Sequence, residues 1–124
     1  MPASRVRPTV LAAAAGLDAA LLLVFVLIGR ANHNETLLGA LGTWWPFLTG
    51  LVVGWLVMRA WRHPLTIVWT GLGIWLITVA VAMLLRIVTG DGAPLSFAIV
   101  TLIVVGVFLI GWRGIAALAR RVRR

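Results

Sequence analysis

Four apolar stretches, about Pro8–Ile28, Leu37–Met58, Leu65–Val88 and Leu95–Trp112, follow one another with little between them. A helix rises about 1.5 Å per residue and a bilayer core is about 30 Å thick, so about 20 apolar residues make one crossing. Each stretch is near that length. The breaks at residues 29–36, 59–64 and 89–94 carry Gly, Pro or Asn, the residues that end helices and form turns. Connections this short make successive helices antiparallel neighbours. The expected fold is therefore all-α, a single domain over residues 1–124: an integral membrane four-helix transmembrane bundle, up-down-up-down, followed by a basic cytoplasmic tail at residues 113–124 that continues the fourth helix onto the inner leaflet.

Composition removes the main competitor. The chain is 62% hydrophobic and 11% charged, whereas soluble domains run at about 45–50% and about 25%. A soluble globular enzyme is excluded on that count. With no Cys, Lys or Tyr and only two histidines, His33 and His63, disulfides, thiolate catalysis, Schiff bases and cysteine metal sites are excluded too. No cofactor and no metal are expected.

Orientation follows from arginine, the sole basic residue besides histidine. Arg5, Arg7, Arg59, Arg62, Arg113, Arg120, Arg121, Arg123 and Arg124 fall on one side of the spans, and Arg30 and Arg86 on the other. Positive charge is enriched on cytoplasmic flanks, so both termini are expected in the cytoplasm of a multi-pass plasma-membrane protein. The first stretch has the basic start of a secretory signal. Its apolar run is longer than a signal core and is interrupted by Asp18, so an uncleaved span is expected.

Six tryptophans sit near expected span ends: Trp44 and Trp45 outside, Trp55, Trp61, Trp69 and Trp112 inside, as interfacial anchoring requires. Gly50 and Gly54 form a G-x-x-x-G pair, and Ala15 with Ala19 and Gly16 with Ala20 repeat its spacing. Such pairs allow close helix approach. Whether the approach joins two helices of one chain or two copies in a homodimer through Gly50/Gly54 is open at this level. Pro46 removes a backbone donor from the second span, where a kink is expected.

Asp18 is the one acidic residue inside a span, roughly 15 Å from the cytoplasmic end of its helix by the helical rise. An ionised carboxylate at that depth costs at least about 2.5–3.5 kcal/mol, so it must be protonated, paired or hydrated. Counting depth along the other spans brings Thr49, Trp75 and Thr101 to nearly the same level, an expected intramembrane polar layer. Two readings of Asp18 stand: a proton or cation relay, or a hydrogen-bonded tie between helices.

Arg30, His33, Arg86 and Ser96 fall near the outer surface. They form a candidate anion or partner site, because guanidinium forks bind phosphate and carboxylate. Pairing with Glu35 and Asp91 in the same loops is the alternative. On the inner side Arg113, Arg120, Arg121, Arg123 and Arg124 are expected to contact the bilayer, where each arginine near anionic lipid contributes about 1 kcal/mol. The net charge of +8 then needs no nucleic acid partner.

The order Asp18, Gly29-Arg30 with His33, Pro46-Phe47, Arg59 with Pro64, Thr70-Gly71 with Trp75, Met83-Leu84-Leu85-Arg86, Ser96-Phe97 and Gly111-Trp112-Arg113 resembles a family of small actinobacterial membrane proteins known as a domain of unknown function, DUF3054. The likeness spans nearly the whole chain. It implies four spans and no particular activity. With no nucleophile–base pair or metal cluster in view, the expected role is that of a non-enzymatic accessory or structural component of the cell envelope, in contact with lipid or a membrane partner. The alternative is a small proton-coupled transporter using Asp18. Its layout is similar to that of the small multidrug resistance exporters, although Asp replaces their Glu and the arginine bias opposes their dual insertion.

Overall fold

The computed structural model describes residues 7–31, 37–90 and 92–122, with side chains at all of these except 30, 31 and 37–40. It consists of four helices, α1 (Pro8–Ala31), α2 (Leu37–Met58), α3 (Leu72–Val88) and α4 (Leu95–Val122), with no strand among the described residues. All four regions contain a stretch long and apolar enough to cross a membrane. Val52, Leu56, Leu84, Ile103 and Val107 are each more than half exposed on the outside of the bundle. Such an apolar surface is a liability in water and the natural one in hydrocarbon.

One boundary differs from the sequence expectation. The third span opens with a π-helical turn at Ile67–Gly71, where the Gly71 N–H reaches back five residues to the Thr66 carbonyl at 2.9 Å. The fourth span runs on into the basic tail as the sequence leads one to expect, because α4 continues to Val122 and takes in all but the last two residues of the tail. Nothing in Gly114-Ile115-Ala116-Ala117-Leu118-Ala119 breaks a helix except one glycine, and alanine and leucine favour one. α2 runs unbroken through Pro46, which is fully buried.

The core is built from Leu22, Phe25, Phe47, Leu51, Ile74, Ala82, Val105 and Leu109. Phe25 and Phe47 meet edge to face with centroids 5.6 Å apart, joining α1 to α2. The Trp44 indole donates to the Ala19 carbonyl at 3.1 Å across the same contact. α2 and α3 approach most closely at glycine. A Cβ on Gly50 would stand 2.6 Å from the Thr78 carbonyl oxygen, and one on Gly54 3.3 Å from Ile74 Cα. As numbering rises along α2 it falls along α3, so the two run in opposite directions. The Gly50–Gly54 face is thus filled by α3 of the same chain, the first of the two alternatives that the spacing left open. Glycine permits close approach to any helix, and its spacing does not name the partner. On α3, Trp75 lies against Gly106 and donates its indole N–H to the Leu102 carbonyl at 2.8 Å, closing α3 on α4.

Both described connections are held by specific backbone geometry. Gly90 and Gly92 have φ of +87° and +81°, a region that L side chains rarely enter. This lets the chain fold back so that Arg86 and Gly92 bond reciprocally, with the Gly92 N–H on the Arg86 carbonyl at 3.0 Å and Arg86 Nε on the Gly92 carbonyl at 2.9 Å. The α2–α3 connection is stitched by the Ala60 N–H on the Trp55 carbonyl at 3.0 Å, the His63 N–H on the Ala60 carbonyl at 3.1 Å, and the Thr70 hydroxyl on the His63 carbonyl.

Candidate functional site

Asp18 lies on the face of α1 that also carries Ala14, Leu22 and Phe25, all buried at helical spacing. It is fully enclosed. Four donors reach its two oxygens. Oδ1 accepts from Trp112 Nε1 at 2.7 Å and from Arg113 Nη1 at 2.9 Å; Oδ2 accepts from Trp55 Nε1 at 2.9 Å and from Arg113 Nη2 at 2.7 Å. Arg113 therefore grips the carboxylate through both arms of its planar fork, the geometry that makes guanidinium–carboxylate pairs strong.

Arg113 is itself fully buried and satisfied on its remaining sides. Nε donates to the Pro64 carbonyl at 2.8 Å, and Nη1 also donates to the Leu109 carbonyl at 2.9 Å. It continues the buried series Thr101, Val105, Leu109 at steps of four along α4. Helical side chains lean toward the N-terminus of their helix, so the long arginine stem carries its charge back along α4 to the level of Asp18. The guanidinium also lies 4.5 Å from the centre of the Trp112 ring. One carboxylate thus joins α1, the end of α2 and α4, and Arg113 extends the network to the α2–α3 connection.

These contacts redistribute the expected sites. Arg113, expected at the lipid surface, is the most voluminous of the fully buried side chains and faces inward. Trp55 and Trp112, expected as interfacial anchors, direct their N–H groups at Asp18. The polar layer of Asp18 with Thr49, Trp75 and Thr101 does not form around the carboxylate. Thr49 is exposed and bonds back to the Trp45 carbonyl at 2.9 Å, and Trp75 is engaged with Leu102. Thr49 points away from the carboxylate because the buried face of α2 carries Phe47, Gly50, Leu51 and Gly54, and position along a helix does not give the angle around it. Thr101 is buried, and its hydroxyl has no partner among the described residues. The same holds for Thr78 on α3, which sequence reasoning did not single out.

At the other end of the bundle, Arg86 is half-buried, bonded to Gly92 and stacked 4.6 Å from the Phe97 ring centre, while Ser96 is exposed. Arg86 therefore helps to close the α3–α4 turn. The Arg30 side chain and His33, the rest of the expected outer site, lie outside the described residues, as do Glu35, Asp91, Arg123 and Arg124. Arg120 and Arg121 are exposed in the last turn of α4. Among the described residues no three His, Cys, Asp or Glu side chains gather where they could hold a metal ion.

The clue to Arg113 was its step of four from Leu109, Val105 and Thr101. It was overshadowed by the run of arginines that follows it.

No curated protein and no solved structure matches the chain. The family model described as Protein of unknown function (DUF3054) matches residues 15–116, a range that takes in Asp18, Trp55, Pro64, Trp112 and Arg113, and the chain belongs to that family.

Proposed function

We propose that this protein is a non-enzymatic accessory component of the cytoplasmic membrane, an up-down-up-down bundle with both termini on the cytoplasmic side, in which Asp18 serves as a structural tie. The observation that carries this reading is the four-donor clamp. A carrier carboxylate must exchange its proton with water on each side in turn. Asp18 is enclosed, and both of its oxygens already accept from indole and guanidinium N–H groups that belong to α2 and α4. Its role is then to hold three helices in one arrangement.

The arginine distribution supports the orientation. The chain lacks cysteine, so single cysteines introduced at Ser4 and Arg121 should react with an impermeant maleimide only from the cytoplasmic face, and one at Ser96 only from the opposite face.

The functional test pairs two measurements on the full chain. Purified from its native membrane in mild detergent, the protein should bring a membrane partner in fixed stoichiometry, and wild-type proteoliposomes should leave an imposed pH gradient intact. The proton-coupled transporter reading would replace ours if the wild type dissipated the gradient and Asp18→Asn, folded and inserted to the same extent, did not.

A further inference from the structure

The α2–α3 connection forms a pocket of about 300 Å³ lined by Val57, Met58, Arg59, Arg62, His63 and Trp69. We propose that this pocket is a binding site for the phosphate-bearing headgroup of an anionic phospholipid, with Arg59 and Arg62 on the phosphate and Val57, Met58 and Trp69 against the glycerol backbone and upper acyl chain. None of the lining residues is acidic, and among the described residues none of the Arg59, Arg62 and His63 side chains has a protein hydrogen bond or ion pair. Asp18, the one acidic side chain among the described residues, is enclosed with Arg113. The pocket therefore presents uncompensated basic groups beside an apolar wall, which is complementary to a phosphate joined to a hydrocarbon tail.

One further feature favours a built site over a chance cluster of loop charges. Arg59, with φ of +51°, is the left-handed residue that ends α2, its N–H on the Leu56 carbonyl at 3.3 Å and the next N–H on the Trp55 carbonyl at 3.0 Å. The loop is also fixed from beneath. Ala60 is buried with its N–H on Trp55, the His63 carbonyl accepts from Thr70, and the Pro64 carbonyl accepts from Arg113. Arg62 and His63 thus project from an ordered backbone, which lowers the entropy lost on binding.

The pocket takes its phosphate from the membrane, because Trp61 and Trp69 are exposed beside the ends of apolar spans, as aromatic residues at a membrane interface are. This site requires the bundle to lie in a bilayer. It is independent of the accessory role, so either can fail without the other.

The test reconstitutes the full chain into phosphatidylcholine vesicles carrying a minority of phosphatidylglycerol brominated on its acyl chains, and reads tryptophan quenching. Brominated phosphatidylglycerol should quench preferentially over brominated phosphatidylcholine, and Trp69→Phe should remove most of the preferential component. Arg59→Gly, which relieves the backbone while removing the guanidinium, and Arg62→Ala should each lower the apparent affinity for phosphatidylglycerol about fivefold. Arg120→Ala/Arg121→Ala removes two charges outside the pocket, and should lower the diffuse attraction to phosphatidylglycerol while leaving the Trp69-dependent component of the quenching nearly unchanged. Equal losses in the pocket and tail variants would overturn the site in favour of diffuse attraction. Displacement of the brominated lipid by millimolar inorganic phosphate in detergent would overturn the lipid assignment and leave a site for phosphate from solution.

Discussion

Asp18 and Arg113 stand 95 positions apart and meet as a bidentate pair, at 2.9 Å and 2.7 Å, with both side chains fully buried. An ion pair removed from water is weak evidence for stability as a pair, but breaking it by removing one partner leaves an uncompensated charge. Asp18→Asn and Arg113→Gln should each destabilise the bundle by about 3–5 kcal/mol, seen as a large fall in Tm in detergent. The double variant Asp18→Asn/Arg113→Gln should lie well above the sum of the two losses. Simple additivity would mean that the pair is not coupled.

The indole donors differ in the charge they face. Trp55 and Trp112 donate to a carboxylate, so Trp55→Phe and Trp112→Phe should each cost about 1.5–3 kcal/mol, while Trp44→Phe and Trp75→Phe, which lose bonds to neutral carbonyls, should cost about 0.5–1.5 kcal/mol. Chemical denaturation monitored by circular dichroism would rank the four. The reverse order would argue against the clamp.

Glycine-to-alanine substitution separates close contacts from idle positions. Gly50→Ala drives a Cβ to 2.6 Å from the Thr78 carbonyl, a backbone atom that can yield only if the α2–α3 contact opens. It should lower Tm sharply. Gly54→Ala, at 3.3 Å, should be milder. Gly111→Ala meets nothing within 4 Å in α4 and should raise stability by roughly 0.5–1 kcal/mol through helix propensity alone.

Thr78 and Thr101 bury hydroxyls that have no partner among the described residues. A buried donor left unmade costs about 1–3 kcal/mol. Valine keeps nearly the same shape without that group. Thr78→Val and Thr101→Val should therefore hold or raise Tm, and a marked fall in either would reveal a hydrogen bond made in the membrane.

The four helices, their approximate limits and the apolar outside were legible from the sequence, because each depends on residues that are neighbours in the chain. Mean hydropathy over about 20 residues settles whether a segment crosses a bilayer, wherever the other segments lie. The run of α4 into the basic tail was legible for the same reason, since alanine and leucine between the arginines keep a helix going once it leaves the apolar layer.

What the sequence determined by itself was that Asp18 has to be protonated, paired or hydrated, since a bare ionised carboxylate inside a span is too costly. Only the tertiary structure decided that the partner is Arg113, that two tryptophans complete the shell, and that Gly50 and Gly54 serve α3. Pairing depends on the rotation of each helix about its axis, on the reach of a long side chain back along its helix, and on which neighbour fills each groove. Those variables are set jointly by all four helices in contact.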